Sequence, residues 1–505
     1  MRVTTLDRYD PAPGRVIEFV PSAATLTAAD GTPASPVPPS LNQRFHLETE
    51  RRQHDGPRHW LACAFDFEGD LGSSRAICPE ALRQAFVHWV RRHETLRSGF
   101  RPAPDGEAIE RFVLPAEAFD LEPREVGDYT TTDALRAYVA KRLDEACRAL
   151  SWPSYLFAVV LRPGSATVFC GFDHCNVDAY SLAIAVRELG ACYRAVAAGS
   201  EPDLPAVGSY VDFCALEQEV VASPPTRDDP LIRRWADFFA ACGGTTPSFP
   251  LDLGLAPGER HPQGTDTRRL LDDRAADAFE RACRDAGGSL FSGVLATVGE
   301  AAHRLGPGDE LRLCVPLHTR HEERWTNAIG WFTTVAPLTL DITGGSGPGR
   351  PAESEEALES ADAPEGEESA ESAALSAFTT RLHAARTGFR TALDLARRPV
   401  AHVLAALGDE FTRTRDDVFM LSFVDYRRFP GSDDFAPANA HHLSAVTVAD
   451  DAQFWISRTH EGLFLRSRYP ATPAAEATVL SFADALGEAM TTHTRGPYRG
   501  TISAS

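Results

Sequence analysis

The chain has 505 residues, of which 43% are hydrophobic, so it can bury more than one core. Because single cores stop growing at about 250 to 300 residues, we expect two lobes of similar size. The formal net charge of -21 argues against a nucleic-acid partner or an anionic membrane surface, both of which require clustered basic residues. The amino terminus also lacks the apolar segment of a signal peptide, so we expect a cytoplasmic protein.

The lysine and cysteine content also limits the kinds of catalytic and metal site that the chain could form. Lys141 is the only lysine in the chain, which argues against a lysine Schiff base. The ten cysteines are scattered, without a Cys-x-x-Cys pair or a His/Cys cluster at zinc spacing, so we predict no metal site.

Hydrophobic periodicity predicts the elements in chain order. An amphipathic helix is indicated over 80–93, and a β-hairpin over 154–161 and 166–172, with its turn at Pro163–Ser165. A second apolar helix follows over 179–199. Later candidates are a helix over 287–306 and strands over 310–320 and 327–340. Helical character resumes from 376, followed by the apolar segment 417–428 and a hairpin over 452–469.

The segment 341–375 is acidic and poor in aromatic residues. Such a composition cannot bury enough apolar surface to offset the cost of ordering the chain. We therefore predict a disordered surface insertion, with an acidic docking tail as the functional alternative.

The stretch "GFDHCNVD" (171–178) places His174 and Asp178 between the second strand of the hairpin and the helix that follows. A histidine can take a proton from a nucleophile at neutral pH. The alternative is that His174 is a core histidine and that Asp178 caps the helix. Spacing does not decide between the two.

Other reactive candidates have weaker support. Ser181 and Cys175 lie near His174, but neither a Gly-x-Ser-x-Gly elbow nor a cysteine-protease signature surrounds them. The pair His441–His442 has no third ligand in a nearby pattern, and we interpret it as a polar surface pair.

Four elements together resemble the condensation-domain superfamily of nonribosomal peptide synthetases and its polyketide-associated and CoA-dependent acyltransferase relatives. The elements, in chain order, are "RRHETLRSGF" (91–100), "DHCNVDAYS" (173–181), "YVDFCALE" (210–217), and "VPLHTR" followed by "NAIGWFTTVAPL" (315–338). The resemblance implies an α/β fold of two chloramphenicol-acetyltransferase-like lobes in a V-shaped pseudo-dimer, with the active site in a tunnel between them. We place the lobes at 1–198 and 199–505.

The resemblance also implies roles for individual residues. His174 and Asp178 would be the catalytic residues of the HxxxD motif, with Asp178 paired with Arg320. Arg97 would be structural. The motif departs from the family pattern because Asp173 replaces the first histidine and Ala179 replaces the glycine. We assign Asp173, with Arg320, to the support of the site.

By resemblance, the chain is a free-standing acyltransferase that joins an acyl or aminoacyl group to an amine or alcohol. Its donor would be a thioester on a carrier protein's phosphopantetheine or on CoA, with no bound cofactor and no metal. An acyl or peptidyl carrier protein is the expected partner, together with a small-molecule acceptor. The alternative from a different class is a non-catalytic module that binds a carrier-bound intermediate and recruits a partner enzyme.

Overall fold

The structure is a computed structural model of the whole chain. It describes residues 1–52, 58–68, 77–104, 106, 108–221, 225–344 and 370–494. The strands are β1 Arg2–Thr5, β2 Gly14–Pro21, β3 Trp60–Glu68, β4 Ser98–Pro102, β5 Ile109–Val113, β6 Leu121–Tyr129, β7 Tyr155–Arg162, β8 Ser165–Asp173, β9 His261–Asp272, β10 Glu310–His318, β11 Thr333–Asp341, β12 Leu421–Asp425, β13 His441–Ser444, β14 Val448–Ala449, β15 Gln453–Thr459 and β16 Gly462–Pro470.

The helices alternate with these strands. They are α1 Ala23–Gly31, α2 Leu41–Arg52, α3 Pro79–Arg92, α4 Glu94–Arg97, α5 Thr132–Ala146, α6 Ala179–Ala197, α7 Tyr210–Val221, α8 Pro230–Ala241, α9 Asp273–Asp285, α10 Leu290–Leu305, α11 Ala370–Leu395, α12 Val400–Leu407 and α13 Pro473–Thr494. Short 3-10 helices cover Leu6–Arg8, Ala116–Ala118, His174–Asn176, Glu323–Trp325, Gly408–Glu410, Tyr426–Arg428 and Ser432–Asp434. Within the described ranges, no helix is both long enough and apolar enough to cross a bilayer.

The first sheet has seven strands in the order β1-β13-β3-β8-β7-β2-β6. Helices α3 and α6 pack against one face through a shared apolar core, and α5 covers the other face. All neighbouring strands are antiparallel except β1 and β13. Strand β13 comes from the C-terminal part of the chain, so a late segment completes a sheet that is otherwise built from the first 173 residues.

The second sheet has five strands in the order β12-β15-β16-β9-β14. The antiparallel pair β10–β11 lies beside it, where Cys314 of β10 bridges to Met420, just before β12. Helices α9, α10, α11 and α13 share the large apolar core of this half. The proposed lobe boundary at 198/199 stays a prediction.

Most elements predicted from periodicity are confirmed. They include α3, the hairpin β7–β8, helices α6 and α10, strand β10 and the hairpin β15–β16. The turn of the first hairpin is two residues long, and Gly164 has φ +79°, a conformation that favours glycine. Helix α6 begins directly after Asp178 and ends before Gly199, as the capping signals indicated.

Two predicted ranges need correction. The strand predicted over 327–340 begins only at Thr333, because the backbone N–H of Phe332 donates to the Asp178 carboxylate at 3.1 Å and is not available to a strand neighbour. The insertion predicted over 341–375 is too wide, since β11 extends to Asp341 and α11 begins at Ala370. The residues 345–369 within it lie outside the described part of the chain.

Candidate active site

His174 lies at the turn between β8 and α6. It opens a single 3-10 turn, and its backbone N–H donates to the carbonyl of His59 at 2.9 Å. The preceding Asp173 caps that turn by accepting the N–H of Cys175 at 2.9 Å. The backbone on both sides of His174 is therefore fixed by hydrogen bonds.

The imidazole of His174 is held in one tautomer. Its Nδ1 lies 3.1 Å from the carbonyl oxygen of Val177, which can only accept, so Nδ1 carries the proton. No group among the described residues bonds to Nε2, which keeps its lone pair. The centroids of the His174 and Trp331 rings are 4.5 Å apart. The backbone carbonyl of Trp331 accepts a hydrogen bond from the Tyr210 hydroxyl at 3.1 Å. Burial lowers the pKa of His174 below 6.5, so the ring is neutral at pH 7 and can accept a proton at Nε2.

The carboxylate of Asp178 is fully engaged by other groups. It accepts two hydrogen bonds from Arg320, at 2.5 and 3.0 Å, and two from Ser181, both at 2.8 Å. The N–H of Phe332 is a fifth donor. Asp178 is thus both the cap of α6 and the partner of Arg320, and no hydrogen bond joins it to the imidazole of His174. Its geometry suits positioning rather than proton transfer.

Arg320 follows β10 and belongs to the second half of the chain. Its guanidinium lies 4.7 Å from the ring of Tyr180 and 4.4 Å from that of Phe332, and it donates to the carbonyl of Ala328 at 3.1 Å. Both members of the Asp178–Arg320 pair are buried. The pair therefore fixes the start of α6 against the loop between β10 and β11.

Neither Ser181 nor Cys175 has the setting of a nucleophile. The Ser181 hydroxyl accepts N–H groups from Arg320 and Gly330, at 3.0 and 3.2 Å, while it donates to the Asp178 carboxylate. Cys175 is buried, and that burial raises the pKa of its thiol well above the ordinary value.

His46 is a site residue that the sequence analysis missed. It projects from α2, and its Nε2 lies 2.9 Å from Oδ1 of Asp173, an ion-pair contact whose angle is not that of a well-aligned hydrogen bond. Burial acts to lower the pKa of His46, but the Asp173 carboxylate outweighs it and raises that pKa overall. His46 also lies 5.9 Å from the ring of Trp331. It therefore adds a second imidazole beside His174.

Glu50 lies one turn further along α2 and completes a small polar group. Its carboxylate accepts the N–H of Ala149 at 3.0 Å. The ligand atoms of His46, Glu50 and Asp173 lie within 4.8 Å of one another, close enough to share a cation. Within this group, Nε2 of His46 and Oδ1 of Asp173 are in direct contact as an ion pair.

The interpretation of His441–His442 as a surface pair is wrong for His442. The two residues form part of β13 inside the first sheet, and His442 is buried. Its Nδ1 lies 3.2 Å from the hydroxyl of Tyr426. Burial, with the charges of Arg466 and His174, lowers the pKa of His442 to about 3. Two adjacent polar residues gave no sign that this segment is a strand of a sheet formed mainly by the first part of the chain.

The segment 91–100, the first of the four elements of the family resemblance, contacts helix α6, which follows His174. His93 Nε2 lies 2.6 Å from the buried carboxylate of Glu188 on α6, and Arg92 donates to the same group at 3.2 Å. Arg97 donates to the carbonyl of Leu114. These contacts join α3 to α6 and connect the strand β4 region to the first core, which is a structural role.

Comparisons with known proteins identify the family and fold of this chain. The Condensation domain family matches residues 66–349. Acyltransferase PapA3 of Mycobacterium tuberculosis is 27% identical over 95% of this chain and 94% of its own length. The same organism's PapA1, named 2'-acyl-2-O-sulfo-trehalose (hydroxy)phthioceranyltransferase, is 30% identical over 96% of this chain and 87% of its own. A solved structure of a PapA2 acyl transferase superimposes with a TM-score of 0.81 at 24% identity, covering 98% of this chain and all of that one.

These similarities confirm the predicted fold class, an α/β fold of two chloramphenicol-acetyltransferase-like lobes. The V shape and the tunnel stay predictions. The acyltransferase names of the relatives also favour an enzyme over a non-catalytic recruiting module.

Proposed function

This chain belongs to the condensation-domain family and is an acyltransferase, and we propose that it moves an acyl group from a thioester to a carbohydrate hydroxyl with His174 as the base. The observation that carries the proposal is the bond between Nδ1 of His174 and the carbonyl of Val177. It leaves Nε2 as the one ring nitrogen that can accept a proton.

In the proposed step, Nε2 takes the proton of the acceptor hydroxyl while the oxygen attacks the thioester carbonyl carbon. A carbon–oxygen bond forms and, as the tetrahedral intermediate collapses, the carbon–sulfur bond breaks. The same proton then passes from Nε2 to the departing thiolate, so the imidazole returns to its starting state. General base catalysis of this kind contributes about 10²- to 10⁴-fold to the rate.

The remaining site residues would position this base. Asp178 and Arg320 fix the start of α6 and the loop that carries Trp331, against which the His174 ring packs. Asp173 fixes the turn from the other side and pairs with His46. Because these four residues act through the orientation of His174, we assign them no direct part in bond making.

The choice of acceptor rests on the relatives. PapA1 and PapA2 bear names that describe transfer to sulfated trehalose, which argues for an alcohol and hence an ester product. For the donor, the family likeness supports an acyl group on CoA or on an acyl carrier protein. An amine acceptor is the less supported alternative.

The test is intact-mass spectrometry of acyl-CoA thioesters and acyl-loaded carrier proteins incubated with trehalose, trehalose-2-sulfate and a set of amines. Wild type, His174→Ala and the exposed-site control His460→Ala are compared. We expect one donor to be unloaded with a new ester by wild type and control, and at least 10²-fold more slowly by His174→Ala. Equal turnover by all three would refute the base, and a stable carrier complex without product would favour the recruiting module.

A further inference from the structure

Arg466 occupies an unusual position in the second sheet. Along β16, Leu463 and Leu465 point into the core shared with the helices, so Arg466 projects from the opposite face. It is nevertheless buried, with 5% of its surface exposed. Its guanidinium lies 4.6 Å from the ring of Trp455 on the neighbouring strand.

This guanidinium has no ion-pair partner among the described residues, although the negative charge of Asp7 acts on it from beyond ion-pair distance. Across the part of the chain that the structure describes, it makes no hydrogen bond and no ion pair, and its Nε is buried without a partner. Arg468, two residues further on the same face, shows the contrast: it donates to Asp417, Gln453 and Gln263. The lack of partners is therefore particular to Arg466.

The side chain is still a cation. Burial and the charge of Arg468 lower the pKa of Arg466 to about 10 against the opposing charge of Asp7, which leaves the group protonated at neutral pH. Burying an unpaired charge is costly, and the contact with Trp455 offsets only part of that cost. A bound anion would supply the opposite charge and offset the rest of that cost.

Further unpaired polar groups lie on one face of the first sheet, close to the strand β15 that carries Trp455. Thr5 of β1 is in register with Ser444 of β13, and His442 lies two residues earlier, so all three point to one face. Thr5 Oγ1, Ser444 Oγ and His442 Nε2 are buried without partners. Strand β1 lies against β15, and the charge of Arg466 acts on His442, so the two sets are neighbours.

The facing groups can donate hydrogen bonds. Both hydroxyls are able to donate, and His442 carries a proton on Nε2 when the Tyr426 hydroxyl donates to its Nδ1. His174 and His442 are close enough for a charge on the His174 ring to oppose protonation of His442, which places this region near the proposed base.

We propose that Arg466, with Thr5, His442 and Ser444 opposite it, forms an oxyanion-binding subsite that receives a sulfate or phosphate group of a substrate. The inference rests on the proposed acyl transfer for the identity of that substrate. The anion would come either from a sulfate ester on the carbohydrate acceptor or from a phosphate of the CoA or phosphopantetheine donor.

Binding is tested with inorganic sulfate, independently of activity. The melting temperature is measured against sodium sulfate, with sodium chloride at matched ionic strength as the reference. The variants are Arg466→Met, Arg466→Gln and, as the matched control, Arg269→Met, which removes an exposed arginine of the adjacent strand β9. We expect a saturable rise in wild type and the control, with half-saturation shifted at least about tenfold in both Arg466 variants.

The same experiment can overturn the subsite. Sulfate stabilises most proteins without saturation, so an equal and unsaturated rise in all four proteins would mean that no site exists. The salt-free melting temperatures add a second criterion. A ligand site predicts that removing the unpaired charge leaves the melting temperature unchanged or higher, whereas a clear fall in both Arg466 variants would indicate a structural role instead.

The source of the anion is then resolved by steady-state kinetics. If the acceptor supplies it, Arg466→Met loses the preference for trehalose-2-sulfate over trehalose by about tenfold or more and keeps the wild-type ratio of CoA to pantetheine donors. If the donor supplies it, the reverse pattern appears. Unchanged ratios in both comparisons would overturn the subsite. Saturable sulfate binding without any transfer product would refute the proposed function and leave the subsite standing.

Discussion

The Nε2 atom of His46 lies 2.9 Å from the Oδ1 atom of Asp173. Asp173 occupies the position of the first histidine in the motif of the condensation-domain family. An imidazole is thus present beside this position after all, but it is supplied by α2 and paired with a carboxylate. Because Asp173 raises the pKa of His46, the pair favours a positive charge on this imidazole next to the proposed base.

Replacing His46 should change the pH dependence of activity. In His46→Gln, the imidazole whose charge lowers the pKa of His174 is removed while Asp173 still raises it, so the pKa of His174 should rise from its lowered value. The base is then protonated at higher pH, and the acid limb of the kcat/KM profile should move up. Profiles from pH 5 to 9 would measure this, with His460→Gln as the control. An acid limb at the same pH in wild type and His46→Gln would show that His46 does not act on the base.

The His46–Asp173 contact should also appear as an energetic coupling. A double-mutant cycle with His46→Gln and Asp173→Asn compares the free energies of unfolding of both single variants and the double variant. Because the partners are in direct contact, we expect a coupling of about 0.5 to 3 kcal/mol. Additive effects within about 0.3 kcal/mol would mean that the two residues contribute independently.

Breaking the pair between Asp178 and Arg320 should destabilise the protein. Asp178→Asn leaves Arg320 buried without its anion, and we expect the free energy of unfolding to fall by about 3 to 5 kcal/mol. Urea unfolding measures this, with Glu80→Gln in an exposed ion pair as the control, for which about 0 to 1 kcal/mol is expected. A loss in Asp178→Asn no larger than in the control would contradict a role in joining the two halves of the chain.

Glu188 should make stability depend on acid pH. Burial acts to raise the pKa of this carboxyl, but His93 and Arg92 outweigh it, so the folded-state pKa lies below the ordinary value of 4.5. The resulting stabilisation is complete above pH 4.5 and is lost as the pH falls through the folded-state pKa. In Glu188→Gln, the urea midpoint should be lower at pH 7 and should fall less between pH 5 and pH 3. Parallel curves for the two proteins would contradict this.

Local patterns in the sequence predicted those parts of the fold that depend on near neighbours. Helix α6 is apolar along one face and begins at a capping aspartate, and the hairpin β7–β8 has its turn residues in place. The Asp178–Arg320 pair was anticipated only through the family resemblance. Neither residue carries a local signal of its partner.

The missed features depend on contacts between distant segments. The α2 sequence "LNQRFHLETERR" is polar overall, and nothing within it shows that His46 meets Asp173. Likewise, the sequence does not distinguish Arg466 from Arg468, since the two lie two residues apart on the same strand and differ in what surrounds them. Arg466 is found by asking which buried charges lack a partner, a question that only the folded structure answers.

The position of β13 sets an order of events for the newly made chain. On the ribosome, residues 441–444 emerge long after β1 and β3, the two strands between which they insert. Until then β1 has no neighbour in the sheet, and one edge of β3 is open to pairing with other chains. The first half therefore reaches its final form only when the second half is nearly complete. Chaperone protection during synthesis should matter most in that interval.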